Sequence, residues 1–285
     1  MRTVRLPDGA EFPALGQGTW HMCEGGRAAT DEAAALKLGI DLGMTLIDTA
    51  EMYGDGGVEE LVGEVVQGRR DRLFIVTKVH PQNASRTGVP AACERSLKRL
   101  RTDRIDLYLL HWRGSHPLSE TIAAFEKLKS AGKIRYWGVS NFDAHEMGKL
   151  ERLAEGARCA TNQVLYHAGS RGIELDLLPW STKHKLPLMA YSPVGQGGQL
   201  LQSQALATVA RRHNASPAQV AIAWTMRHGN VIAIPKASDP EHVRQNAAAG
   251  AIELSNEDLA VIDAAHPPPA RWRRRMQRIK RMLVR

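Results

Sequence analysis

The sequence predicts a (β/α)8 TIM barrel, and three observations carry that expectation. Short apolar runs alternate with segments of helical character along almost the whole chain. Eight such runs occur, most of them about thirty residues apart, which is the length of one βα unit. The chain has 285 residues, more than the roughly 250 that such a barrel needs. Strand and helix in strict alternation imply a parallel sheet with right-handed crossovers. The rival architecture is an open, doubly wound sheet. With a dinucleotide site it would carry Gly-x-Gly-x-x-Gly after its first strand. Gly16-Gln17-Gly18-Thr19-Trp20-His21 fails at the third glycine, which favours the barrel.

Residues 1–13 read as an N-terminal β-hairpin, with Val4 and Leu6 before a Pro7-Asp8-Gly9 turn and Glu11-Phe12-Pro13 after it. The eight expected strands are Ala14–Gly18, Thr45–Asp48, Leu73–Lys78, Ile105–His111, Tyr136–Ser140, Cys159–Val164, Leu188–Tyr191 and Val231–Pro235. Helices between them announce their starts. Thr30 is expected to cap a helix whose first turn holds Asp31 and Glu32, charges suited to its positive end. Asp143 with Glu146 and Ser216 with Gln219 have capping-box spacing, the second with Pro217 at the first helical position. Ser255 opens the last clear helix. The gap before the eighth strand is too long for one helix and predicts an extra one over Leu206–Asn214. No linker composition precedes Pro267-Pro268-Pro269, so residues 1–266 are read as one domain and 267–285 as a proline-rich turn and basic tail.

A hydrophobic content of 43% with 24% charged residues places the chain among globular rather than disordered proteins. The net charge of +8 is concentrated. Residues 271–285 hold eight of the 38 Lys and Arg and no acid, which leaves thirty basic against thirty acidic residues elsewhere. The body is therefore neutral, and neither nucleic acid nor membrane is expected to bind it. In the tail, Trp272, Met276, Ile279 and Leu283 form one helical stripe among arginines. That pattern suits a solvated or barrel-docked helix, and also leaves open an acidic membrane surface, a nucleic acid or a protein partner. Cys23, Cys93 and Cys159 are few, odd in number and far apart, as in reduced, cytoplasmic proteins. No apolar stretch approaches a membrane span, and the first residues lack a signal peptide's apolar core. His21, His80 and His116 lack metal-ligand spacing, so no metal is expected. A monomer is expected.

The stretch Thr45 to Gly54 organises the chemistry. A buried strand ends at Asp48, a charge that cannot sit unpaired in a core, and Tyr53 follows five residues later. Lys78 ends the third expected strand and His111 the fourth. In a barrel the active site lies at the carboxyl ends of the strands, and neighbouring ends fall within about 10 Å of one another. Taken singly, a lysine or histidine at a strand end is an ordinary solvated group. Four complementary groups on consecutive units are harder to explain that way. A free phenol titrates near pH 10. Lys78 is expected to lower that value, with Asp48 holding Lys78 charged and in place, while His111 orients a substrate oxygen. Such a site suits protonation of a carbonyl oxygen as a hydride reaches its carbon, and the hydride must come from a cofactor.

These residues and their surroundings resemble the aldo-keto reductases. The resemblance spans residues 1–266 and rests on Gly18-Thr19-Trp20, Asp48-Thr49-Ala50 with Tyr53-Gly54, Thr77-Lys78, Leu110-His111-Trp112, Gly138-Val139-Ser140-Asn141-Phe142, Gln163, Tyr191-Ser192-Pro193 and Ile234-Pro235-Lys236. Its pattern is closest to that of bacterial members reducing methylglyoxal and other aldehydes. It implies that Asp48, Tyr53, Lys78 and His111 are the catalytic tetrad, with Tyr53 the general acid. It also implies that Ser140, Asn141 and Gln163 hold a nicotinamide carboxamide and that Tyr191 stacks on the ring. Gly18, Thr19, Trp20, Asp48, Ser192, Pro193, Gly195, Lys236, Ala237, Ser238, His242, Gln245 and Asn246 complete the implied cofactor site.

His242 stands where many members have an arginine, and a histidine replaces that planar charge imperfectly. NADPH is expected because Lys236 and Arg244 remain, with NADH the alternative. Trp20, Met52 and Trp112 are the expected substrate walls, and the short segment after His111 points to small aldehydes or ketones. The contrasting function is a non-catalytic, nicotinamide-sensing barrel that regulates or binds a partner. The complete tetrad favours the reductase. Trp137, Trp180 and Trp224 lie in regular elements and are expected to pack.

Overall fold

The computed structural model describes residues 2–6 and 8–268; the basic tail and its helical stripe lie outside them. The chain opens with an antiparallel hairpin, β1 (Thr3–Arg5) and β2 (Glu11–Pro13), in register Val4 to Phe12. Then β3 (Gly16–Gly18), α1 (Ala29–Asp41), β4 (Leu46–Asp48), α2 (Gly57–Val66), β5 (Phe74–Val79), α3 (Gly88–Arg99) and β6 (Ile105–Leu110) follow in alternation. They are succeeded by α4 (Leu118–Ser130), β7 (Ile134–Ser140), α5 (Ala144–Glu151), β8 (Asn162–Leu165), α6 (Leu177–Lys183) and β9 (Leu188–Tyr191). Two helices, α7 (Gln204–Arg212) and α8 (Pro217–Thr225), precede β10 (Val231–Ile234), and α9 (Pro240–Ala249) and α10 (Asn256–Ala265) end the described chain.

Strands β3 to β10 form one parallel sheet in chain order. The sheet closes where β3 meets β10, through bridges Leu15–Ala233 and Gly18–Lys236 and the bonds Ala233 N–H to Ala14 and Gly18 N–H to Pro235. This is the (β/α)8 barrel the alternation predicted. The strands carry the expected double burial. In β5 and β6, Phe74, Val76, Leu107 and Leu109 pack inside the barrel with Leu46, Met189 and Ile232. Ile75, Tyr108 and Leu110 point outward into the layer under the helices, beside Trp137 and Val139. Phe12 of the hairpin meets Phe74 with ring centroids 4.0 Å apart, and so closes the end where β5 begins. The opposite end, where the strands finish, carries the site.

The capping expectations at Asp143, Ser216 and Ser255 hold, each as a reciprocal box with Glu146, Gln219 and Asp258. Thr30 is a correction. Helix α1 begins two residues earlier than that cap implies, with Ala28 at the N-cap and no side-chain cap, and Thr30 lies inside the first turn. The extra helix is present as α7, two residues earlier than expected at either end. Strand boundaries move by a few residues. The sixth barrel strand begins at Asn162 rather than Cys159, and the fourth ends at Leu110, one residue before His111. Trp137 and Trp224 are buried as expected, and Trp180 is partly buried.

Candidate active site

Register places the polar groups level with one another. Gly18 pairs with Asp48, both at the finishing ends of their strands, and Ser140, the last residue of β7, pairs with Gln163, the second of β8. Lys78 is fully buried, and its ammonium donates to Oδ2 of Asp48 at 2.8 Å and to the carbonyl of Thr49 at 2.7 Å. Its third direction is Tyr53, whose hydroxyl lies 3.4 Å from Nζ. The other oxygen of Asp48 accepts from Nε2 of Gln163 at 2.7 Å. Asp48 therefore satisfies two neighbours while its own backbone carbonyl takes the Thr19 hydroxyl at 2.9 Å. His111 stands edge-on to Tyr53, centroids 5.8 Å apart. Its Nδ1 is buried with no partner among the described residues.

The electrostatics follow from burial. Burial works against the charge on Lys78, but the Asp48 carboxylate and the Tyr53 oxygen outweigh it and its pKa is raised. Burial raises Asp48, against the pull of Lys78 and Gln163. For Tyr53 the expected lowering is corrected. Burial of the phenol, helped by the Asp48 charge, outweighs Lys78, and its pKa is raised. The hydroxyl therefore keeps its proton at neutral pH. Burial and the nearby Lys78 charge push His111 down to about 3, so its imidazole is neutral.

Asp48, Tyr53, His111 and Gln163 line a cavity of about 1100 Å³. Its walls include Trp20, Met52 and Trp112 at the tetrad end, and Gly18, Thr19, Ser140, Asn141, Gln163, Tyr191, Ser192 and Pro193 beyond. They also include Lys236, His242, Gln245 and Asn246. Asn141 donates to the His111 carbonyl at 3.1 Å and accepts from the Tyr191 hydroxyl at 2.9 Å, which knits three strand ends together. Four expected residues are not on the wall. Lys78 lies beneath it, as an anchor must. Gly195 turns away toward Leu200, and the neighbouring Gln196 and Gly197 line the cavity instead. Ala237 and Ser238 also lie off it, Ser238 facing Glu32 at 3.5 Å. Arg244 is exposed on α9 and does not reach the wall.

Leu165, Leu201 and the start of α8 at Ser216, Pro217 and Ala218 line the cavity without having been anticipated. The capping box at Ser216 signalled only a helix start. Nothing local in the sequence says that this start faces the cavity.

A closed eight-stranded barrel with a lysine–aspartate pair beneath a tyrosine and a histidine defines a class of oxidoreductase. The chain belongs to the aldo/keto reductase family, which matches residues 14–267. It is 52% identical over 272 residues to the methylglyoxal reductase YeaE of Escherichia coli, covering 94% of this chain and 96% of that one. It is 39% identical over 265 residues to the glyoxal reductase of Bacillus subtilis, covering 92% of each. Among solved structures, an aldo/keto reductase from Klebsiella pneumoniae in complex with NADP and acetate superposes with a TM-score of 0.92. It is 53% identical, with 95% of this chain and 97% of that chain covered.

Proposed function

We propose that this chain uses NADPH to reduce small aldehydes and ketones, 2-oxoaldehydes such as methylglyoxal among them, with Tyr53 as the general acid. The observation that carries the reading is the Tyr53 hydroxyl, 3.4 Å from an ammonium that is itself locked to Asp48 at 2.8 Å. The cofactor assignment rests on fit. The cavity runs from the tetrad past amide and hydroxyl groups that match a carboxamide's donors and acceptors. It reaches Lys236 and His242, two basic side chains suited to a phosphate. The NADP-bound and NADPH-bound Klebsiella relatives support the same choice. Ser140, Asn141, Gln163 and Tyr191 would hold the nicotinamide end, and Lys236, His242, Gln245 and Asn246 the adenosine end.

When bound, the reduced nicotinamide supplies the hydride. The chain's residues manage the oxygen. As negative charge grows on the carbonyl oxygen, the Tyr53 O–H transfers its proton, and the phenolate that forms lies against the Lys78 ammonium. The raised pKa of Tyr53 keeps that proton in stock until a stronger base, the developing alkoxide, takes it. Asp48 holds Lys78 charged throughout. His111, neutral, offers an N–H that orients the oxygen without competing as an acid. Trp20, Met52 and Trp112 bring no formal charge to the substrate end, which suits small uncharged carbonyl compounds.

No helix among the described residues is long and apolar enough to cross a membrane. With three free thiols, that supports a cytoplasmic enzyme. The test is NADPH oxidation with a panel of aldehydes, for the wild type and Tyr53→Phe. We expect turnover in the first, and NADPH binding without turnover in the second. A fully active Tyr53→Phe variant would rule out the tyrosine as proton donor. NADPH binding with no oxidation by any carbonyl compound would instead indicate a sensing barrel.

A further inference from the structure

We propose that Arg95 and Arg99 of helix α3 are positioning residues that fix Tyr53 over Lys78 through the two carboxylates on either side of the tyrosine loop. The inference rests on Tyr53 being the proton donor.

The loop needs such a device. Between β4 and α2 the backbone passes through left-handed conformations at Gly54, Asp55 and Gly56, with φ of 54°, 52° and 94°. Its own backbone bonds are mostly short-range, Tyr53 N–H to Ala50 and Gly57 N–H to Tyr53 and Gly54, with Glu51 N–H reaching the Lys78 carbonyl. The side chains at its two ends tie it to the rest of the barrel. Glu51, two residues before Tyr53, accepts from the His80 N–H at 2.7 Å and from Asn83 at 2.9 Å. Glu59, six residues after it and fully buried, accepts from the Thr77 hydroxyl at 2.6 Å. Thr77 and His80 bracket Lys78 on β5 and the turn that follows it. The two carboxylates that flank the tyrosine in sequence thus grip the strand on either side of the lysine.

Each carboxylate is matched by an arginine, and the two arginines are one turn apart on a single helix face. Arg95 meets Glu51 at 3.4 Å, and Arg99 meets Glu59 at 2.6 Å through Nη2 and 2.7 Å through Nε. Arg99 also packs where the loop turns. A Cβ at Gly56 would lie 2.8 Å from Cδ of Arg99, so the guanidinium stem occupies the space that only a glycine leaves. Truncating Arg99 would leave Glu59 buried without its counter-charge. It would also remove the wall against which Gly56 rests. Both effects release the loop that carries the Tyr53 hydroxyl, while the cavity walls at Lys236, His242 and Gln245 stay untouched.

The experiment compares Arg99→Met, Arg99→Lys and Arg95→Met with wild type and with Tyr53→Phe. It measures kcat and KM for an aldehyde, the NADPH dissociation constant by fluorescence, and melting temperature. For Arg99→Met we expect kcat to fall by roughly 10- to 100-fold, with the NADPH dissociation constant and KM within about two-fold of wild type. Arg99→Lys keeps a charge beside Glu59 and should recover most of the lost kcat. Arg95 is half exposed and safe to remove even if Arg99→Met does not fold. Arg95→Met should lower kcat in the same direction by roughly three-fold or more.

If Arg95→Met, and Arg99→Met where it folds, keep kcat within about two-fold of wild type while Tyr53→Phe is inactive, the positioning role is overturned and the general-acid reading stands. Equal losses in kcat and NADPH affinity would likewise overturn it, because they mark general damage to the fold. A fully active Tyr53→Phe variant would overturn the general-acid reading, and this one with it.

Discussion

The ammonium of Lys78 and the carboxylate of Asp48 lie 2.8 Å apart with both side chains sealed from solvent. A pair buried this deeply is costly to split, because the partner left behind has no water to turn to. Lys78→Met should therefore do two kinds of damage. Stability should fall by about 3–5 kcal/mol, read from urea unfolding at neutral pH. Turnover should fall by at least about 100-fold, because Tyr53 loses the charge that stabilises its phenolate. Equal stability to wild type would mean that Asp48 finds another partner.

His111 gives a pH signature. Its pKa is pushed down to about 3 in the folded protein by burial and by Lys78, against about 6.5 in an unfolded chain. Below that unfolded value the unfolded state binds more protons. The stability that a neutral His111 allows is thus fully present above about pH 6.5 and is lost as pH falls toward the folded value. The urea midpoint should drop between about pH 7 and pH 5, and the drop should shrink in His111→Gln. His228, pushed down to about 4 mainly by its own burial, will keep part of the slope in that variant. An identical slope in both proteins would contradict the assignment.

Lys236 and His242 are exposed at the far end of the cavity, so their contribution to cofactor choice should be electrostatic and screened. Lys236→Met should weaken NADPH binding by about ten-fold at low salt and leave NADH binding nearly unchanged. The difference should narrow as salt is added. Fluorescence titrations with both nucleotides at two ionic strengths decide it, and equal losses for the two would mean that the lysine serves only structure.

The barrel and the grouping of Asp48, Tyr53, Lys78 and His111 at its mouth were legible because both are written in local terms. Apolar runs lead into Asp48, Lys78 and His111, with β5 running one residue past Lys78 to Val79, and a parallel barrel puts strand ends together wherever they fall in the chain. What was not legible depends on three-dimensional context. Thr30 has a capping side chain, yet the backbone turns helical one residue before it. The sign of the Tyr53 shift depends on how completely the barrel buries the phenol, and no spacing reports that. Gly195, Ala237 and Ser238 are neighbours of cavity residues but face elsewhere, since in a loop adjacency in sequence does not set direction. The start of α8 lines the cavity together with Val194, Gln196, Gly197 and Leu201 of the connection after β9, an arrangement that no local sequence signal encodes.

Gly18 and Lys236 sit on opposite lips of the crease where the first and last staves of the barrel meet, and both also border the cavity. Their junction is the thinnest hoop of the cylinder, fastened by a few backbone links instead of a full ladder. Any molecule that rests on both lips at once becomes a rivet across that crease. Occupancy and integrity of the cylinder are then one coupled quantity, so resistance to heat should climb with the concentration of whatever lies there.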